Sequence, residues 1–299
     1  MPTDRAPAVP AAAAPATGLE VVPLSPVIGA EVRGVDLAAD LDDATVAAIE
    51  QAWYAHLVLL FRGQRLTVEQ HLAFAARLGP LDVPNHRSAT EVTARYPALI
   101  DISNVTADGR LTDRGLGNAE AFWHTDLSYK ERPPAGSALY AREVPRQGGN
   151  TCFCNMYRAY DDLPADLRAQ AEGRTAVHDE SRNSAMRLRP GYTEEPDPSR
   201  TPGPRHPIVR THPRTGRKAL FLGRRPFSYI PGLSVPESEA LLDRLWAHAT
   251  QEQYVYCHKW RVGDLILWDN RCVMHRRDAF DMSERRILHR TQIQGDRPC

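Results

Sequence analysis

The chain has 299 residues, 42% apolar and 25% charged, with 37 Lys plus Arg against 37 Asp plus Glu. This composition is ordinary for a globular protein with a sizeable core. The balanced charge and the 7% aromatic content argue against a polyanion-binding surface or a base-stacking platform, so no nucleic-acid partner is expected. No apolar run approaches the roughly 20 residues of a membrane helix, so no membrane partner is expected either. The five cysteines, Cys152, Cys154, Cys257, Cys272 and Cys299, include no CxxC. Their odd number predicts no disulfide framework and a reducing, cytoplasmic setting.

Residues 1–18 are rich in Ala and Pro, and Pro7, Pro10 and Pro15 interrupt any signal-peptide core. A disordered tail is expected there, followed by one domain over 19–299. Short strands are predicted over 20–32. A helix is predicted over 42–56, capped by Asp42 or Asp43, with Val46, Ala47, Ile49, Ala52 and Trp53 at helical spacing. Residues 57–61 read as a buried strand. Thr67 and Gln70 form a capping-box pattern for a helix over 67–78. From 84 to 120 the chain is polar, and only 98–102 reads as a strand. Strand patterns follow at 137–144, 174–178, 218–222, 254–260, 264–268 and 287–293, with a hairpin turn at 214–217. Helices are predicted over 155–172 and 236–249, the second with Ser234 and Glu237 as its cap. Residues 181–206 read as a loop of the kind that covers a site. Many short strands with helices gathered early suit a mainly β, α+β protein of the jelly-roll type with flanking helices.

The sharpest signal is Phe122-Trp123-His124-Thr125-Asp126. A His and an Asp two apart on an extended segment point the same way and can reach one metal. His275 is the best candidate for a third ligand. Two imidazoles and one carboxylate on one face form the triad of iron(II) oxygenases, leaving positions for cosubstrate and O₂. The triplet alone is open to other readings: a hydrogen-bonding core histidine, or zinc, which takes the same atoms. Further on, a strand over 287–293 places Arg286, Leu288 and Arg290 on one face. Two inward guanidiniums need an anion, and a dicarboxylate supplies one. A solvated basic edge strand is the other reading. His289 falls on the opposite face and reads as structural. Trp123 and Trp268 flank the ligand segments, either as ordinary core aromatics or as packing that orients the ligands.

With these residues assembled, the chain resembles the taurine dioxygenase and 2,4-dichlorophenoxyacetate dioxygenase family of 2-oxoglutarate-dependent oxygenases. The resemblance runs from Leu19 to Pro298. Its motifs are Gly29-Ala30-Glu31-Val32-Arg33-Gly34-Val35-Asp36-Leu37, Trp123-His124-Thr125-Asp126, Arg132-Pro133-Pro134-Ala135-Gly136, Gly148-Gly149-Asn150-Thr151, Trp268-Asp269-Asn270-Arg271, His275 and residues 286–291. It implies a double-stranded β-helix core, with Fe(2+) held by His124, Asp126 and His275. It also implies that Thr151 and Arg286 bind the distal carboxylate of 2-oxoglutarate, and that Arg290 grips an anionic group of the substrate or shares the cosubstrate. Oxidative decarboxylation to succinate and CO2 would then be coupled to hydroxylation of a small substrate.

Residues 247–251 and 262–265 look closer to the phenoxyalkanoate branch of the family, which suggests a carboxylate-bearing, aryloxyalkanoate-like substrate. His86, Asn104, Asn118 and Arg290 are the expected substrate-shaping residues. A sulfonate, sulfate ester or amino-acid-derived substrate is the alternative. A zinc hydrolase and a non-catalytic metal-binding barrel are less favoured, because neither has a use for Arg286 and Thr151. A homo-oligomer, dimer or tetramer, is a family-level expectation.

Overall fold

The computed structural model describes residues 18–84, 90–112, 122–183 and 187–299. The tail expected at 1–18 lies outside them except for Gly18, as do His86 and Asn118. Strands β1 (Glu20–Pro23) and β2 (Ala30–Arg33) pair antiparallel. Helix α1 (Asp43–His56) begins where the Asp42 carboxylate accepts from the backbone N of Thr45, satisfying an otherwise orphaned amide. Strand β3 (Val58–Phe61) is buried throughout. The expected capping box of Thr67 and Gln70 opens α2 (Val68–Arg77). Helix α3 (Glu91–Arg95), capped by Thr90, lies in the stretch whose polarity hid it from the sequence reading.

The chain continues through β4 (Ile100–Ser103), β5 (Gly136–Glu143) and β6 (Thr151–Asn155). The single helix expected over 155–172 is two, α4 (Met156–Asp161) and α5 (Ala165–Ala171). Pro164 separates them, since proline cannot donate within a helix and fits only at its start. Strands β7 (Thr175–Val177), β8 (Arg205–Pro207), β9 (Val209–Thr211) and β10 (Lys218–Leu220) precede α6 (Val235–Ala249). Glu237 accepts from both the backbone N and the hydroxyl of Ser234, fixing the start of α6. Strands β11 (Val255–His258), β12 (Leu265–Asp269), β13 (Val273–Arg277) and β14 (Ile287–Ile293) complete the chain.

Seven strands form one sheet in the order β1-β2-β3-β12-β5-β14-β4, and three form a second, β11-β6-β13. Alternation along each strand divides the large sheet into two faces. Leu139, Ala141, Ile266, Trp268 and Leu288 point inward to a core shared with Phe153. Ala138, Tyr140, Leu265, Leu267 and Ile293 point outward, where Trp53 of α1 and Phe74 of α2 cover them. The expected mainly β architecture with flanking helices is therefore present. The site residues lie on the inner face.

The cysteine expectation needs correction. Cys152 of β6 and Cys257 of β11 are directly opposite in register and form a disulfide. They are 105 residues apart in sequence, so strand register unites them, and a cysteine count carries no register. Cys154, Cys272 and Cys299 are free.

Candidate active site

His124 and His275 come from segments that pair directly. The backbone N of each donates to the carbonyl of the other, both at 2.9 Å. This two-residue bridge sets the imidazoles 4.3 Å apart, centroid to centroid. His124 Nδ1 lies 2.9 Å from the carbonyl of Phe122. A carbonyl only accepts, so Nδ1 carries the proton and Nε2 presents its lone pair. Nε2 of His124 and Nε2 of His275 lie 3.8 and 3.9 Å from Asp126 Oδ1. Within the triad, one candidate ligand atom from each residue lies within 4.8 Å of the others, and all three residues are at most 4% exposed. The ring of His275 is held by Trp268, with centroids 4.8 Å apart, and by Phe153 at 6.3 Å.

Asp126 is positioned on both its backbone and its carboxylate. Asn270 accepts from its backbone N and donates to its carbonyl, each at 2.9 Å, and donates also to the carbonyl of Pro134. The next residue, Leu127, takes a left-handed φ of 48°, so the chain turns away immediately after the ligand segment. Oδ2 accepts from Ser137 at 3.0 Å and from Gln292 at 3.1 Å. Arg290 Nη1 donates to Oδ1 at 3.0 Å and to Oδ2 at 3.2 Å. Burial alone would raise the pKa of this carboxyl. Arg290, then His275, His124 and Ser137, outweigh burial and hold Asp126 far below the usual range. It is therefore an anion at any pH the enzyme meets.

The guanidinium of Arg286 lies beside Gly149. A Cβ at Gly149 would stand 3.0 Å from Arg286 Nε, and φ there is +64°, so a side chain at 149 would crowd the arginine. Arg286 Nη2 donates to the carbonyl of Gly149 at 3.2 Å, and Phe280 faces the guanidinium at 5.7 Å. Thr151 starts β6 in register with Arg277 of β13, and its hydroxyl accepts from Trp260 Nε1 at 3.0 Å. Asn104, expected to touch substrate, has a different task. Its Oδ1 accepts from the backbone N of Arg286 at 2.8 Å, and its Nδ2 donates to the carbonyls of Met282 and Glu284. Its amide is spent on holding the segment that delivers Arg286.

A second cluster of possible ligands, His212, Asp269 and Cys272, is also buried. Asp269 receives a two-pronged contact from Arg271 at 2.7 and 2.8 Å and a bond from His212 Nε2 at 2.9 Å. His212 Nδ1 accepts from the backbone N of Arg214 and of Thr215. Both imidazole nitrogens are therefore used. Burial raises the Cys272 thiol pKa well above its ordinary value, so it stays protonated and is a poor ligand. This is an ion-pair node that ties the 212–217 turn to the start of the segment leading to His275. It gives a physical meaning to Asp269 and Arg271 beside Asn270.

A separate cavity of about 440 Å³ opens on the outer face of β14, opposite Arg290, and is lined by Asp101, Ser103, Arg142, Arg285 and His289 among others. Asp101 Oδ1 is buried there without a hydrogen-bond partner among the described residues, and burial raises its pKa to about 6. The folded state thus favours the protonated acid. This contribution is fully present below the unfolded value of about 3.8 and is lost as pH rises through about 6. Asp101→Asn is expected to raise Tm by about 2–4 °C at pH 8 and by almost nothing at pH 4, measured by thermal denaturation.

With this geometry in view, comparison with known proteins is direct. Residues 20–292 match the family described as "Taurine catabolism dioxygenase TauD, TfdA family". An alpha-ketoglutarate-dependent 2,4-dichlorophenoxyacetate dioxygenase of Cupriavidus pinatubonensis is 41% identical over 92% of this chain and 97% of its own length. An (S)-phenoxypropionate/alpha-ketoglutarate-dioxygenase of Sphingobium herbicidovorans is 38% identical over 93% of this chain and 95% of its own. Among solved structures, AAD-2 in complex with Mn(II) and N-oxalylglycine superposes with a TM-score of 0.76 at 32% identity, covering 94% of this chain and 98% of that one. A taurine dioxygenase from Burkholderia xenovorans gives 0.75 at 35% identity, covering 94% and 92%. The chain belongs to the TauD/TfdA family of non-haem iron, 2-oxoglutarate-dependent dioxygenases. Its fold is that family's double-stranded β-helix.

Proposed function

We propose that this chain hydroxylates a small, carboxylate-bearing substrate of the aryloxyalkanoate class, with residues 19–299 acting as one catalytic domain. His124, Asp126 and His275 would hold the iron. The donor set fits: two imidazoles and one carboxylate, all buried, bring ligand atoms within 4.8 Å of one another, and the bond of His124 Nδ1 to Phe122 makes Nε2 the nitrogen that carries the lone pair. When bound, iron with 2-oxoglutarate and O₂ supplies the oxidising chemistry, releasing succinate and CO2. The protein's part is placement and exclusion of water. Arg286 and the Thr151 hydroxyl grip the distal carboxylate of 2-oxoglutarate. Arg290 offers its charge to the acidic group of the substrate.

The observation that carries the substrate class is Arg290 itself. It is 9% exposed, sits on the inner face within 3.0 Å of Asp126, and keeps a buried Nε that no described residue accepts from. The contact with Asp126 uses Nη1, so Nε is left to a further acceptor, and a carboxylate is the acceptor a guanidinium binds most strongly. The names of the 2,4-dichlorophenoxyacetate and phenoxypropionate relatives supply the rest of the class. The zinc-hydrolase alternative needs a general base beside the triad. Among the described residues, the charged side chain paired with Asp126 is the guanidinium of Arg290, which takes no proton.

A succinate-release screen over aryloxyalkanoates, sulfonates, sulfate esters and amino acids tests the reading. Aryloxyalkanoates are expected to give the highest kcat/KM, with phenol released where the hydroxylated carbon bears the ether oxygen. A sulfonate or sulfate ester outperforming them overturns the substrate class while leaving the enzyme class untouched.

Equal numbers of acidic and basic residues support a small molecule rather than a polyanion as partner. No described helix is long and apolar enough to cross a membrane. The odd cysteine count supports a cytoplasmic location, and the Cys152–Cys257 bridge weighs against it. A dimer or tetramer of this chain rests on family resemblance alone.

A further inference from the structure

The hydroxyl of Thr151 is 3% exposed as part of a buried residue, and its partner among the described residues is the indole N–H of Trp260, at 3.0 Å. Indole nitrogen donates and cannot accept. Trp260 therefore occupies a lone pair of Thr151 Oγ1 and leaves the hydroxyl's own proton unspent. A buried proton donor without an acceptor is costly, and an incoming carboxylate removes that cost.

Trp260 is itself held from behind. The ring of His258 meets it edge-on, with centroids 4.9 Å apart at 88°. His258 Nε2 lies 2.9 Å from Asp264 Oδ2, and its Nδ1 is 3.2 Å from the Tyr256 hydroxyl. Asp264 also accepts from Arg62 and from the backbone N of Arg261, both at 2.9 Å. A carboxylate only accepts, so the His258 proton sits on Nε2. Arg62 and His258 thus both donate to Asp264, and the imidazole fixed in this way packs edge-on against the Trp260 indole and holds it in place.

We infer that Trp260 is a positioning residue for the cosubstrate: by donating to Thr151 it turns the threonine hydroxyl so that its proton faces the distal carboxylate of 2-oxoglutarate. This rests on the placement of that carboxylate at Thr151 and Arg286 proposed above. Trp260 touches neither metal nor substrate in this role.

The test is a double-mutant cycle in the Mn(II)-loaded protein, reading the dissociation constant of 2-oxoglutarate by calorimetry without O₂ or substrate. Trp260→Phe keeps the ring and removes the donor. It is expected to weaken 2-oxoglutarate binding by about three- to tenfold, the worth of one oriented hydrogen bond. In iron-loaded turnover the KM for 2-oxoglutarate should rise in step while kcat changes little. Thr151→Val should weaken binding at least as much, Thr151→Ser should restore it, and Trp260→Phe should add almost nothing in the Thr151→Val background. With 2-oxobutyrate, which lacks the distal carboxylate, the effect of Trp260→Phe should vanish; this comparison is internal to each variant, so a lowered Tm does not blur it. Equal losses from Trp260→Phe in both backgrounds, or with both oxo acids, overturn the inference while leaving Thr151 in its place. If Thr151→Val leaves 2-oxoglutarate affinity unchanged, the placement of the carboxylate falls and the inference with it.

Discussion

Asp126→Ala is expected to lower kcat/KM by about a thousandfold or more, equivalent to roughly 4 kcal/mol of transition-state stabilisation. The carboxylate is one of three groups converging on the proposed iron position, and no described neighbour replaces it. The same change should also destabilise the fold, which the sequence alone does not foretell. Arg290 donates twice to this carboxylate, and Ser137 and Gln292 once each. Removing one partner of a buried ion pair costs about 3–5 kcal/mol because the other charge stays buried. Tm should therefore fall by several degrees, and circular dichroism at the assay temperature separates that loss from the chemical one. A variant that is folded, iron-loaded and still turns over at more than one-tenth of the wild-type rate would remove Asp126 from the metal.

Arg286→Gln is expected to raise the KM for 2-oxoglutarate by about ten- to a hundredfold, as a charge-assisted contact contributes about 1.5–3 kcal/mol. The KM for the organic substrate should move by less than about threefold, because Arg290 rather than Arg286 is assigned to it. Glutamine is short and neutral, and the cleft beside Gly149 is shaped for the longer arginine. The backbone of residue 286 remains tied to Asn104 in the variant, since that bond uses the main-chain N. Unchanged affinity for 2-oxoglutarate would defeat the assignment. A larger effect on substrate than on cosubstrate would exchange the roles of Arg286 and Arg290.

Much of the site was legible in the sequence because its chemistry is rare in small patches. A His and an Asp two apart, a later His, and two arginines four apart on one strand face are patterns that local periodicity can read. What escaped was non-local or unpatterned. Strands β6 and β13 went unassigned although they carry Thr151 and His275. All five residues of β6 are buried, so no alternation of polar and apolar residues marks it. Trp260 stood only at the end of the strand predicted over 254–260, because its bond to Thr151 joins segments 109 residues apart. The task of Asn104 depends on residues about 180 positions away, and nothing near it in sequence signals that. The Cys152–Cys257 bridge depends on register, which composition does not hold.

The bridge between the backbones of His124 and His275 has a consequence for how the protein acquires its metal. The two imidazoles are spaced by main-chain hydrogen bonds that use no ligand atom. The fold is therefore expected to form without the ion, and a thermal melt after treatment with a chelator checks this. Such a protein can be stripped by a chelator and refilled without passing through a denatured state, unlike small domains whose folding is driven by the ion itself.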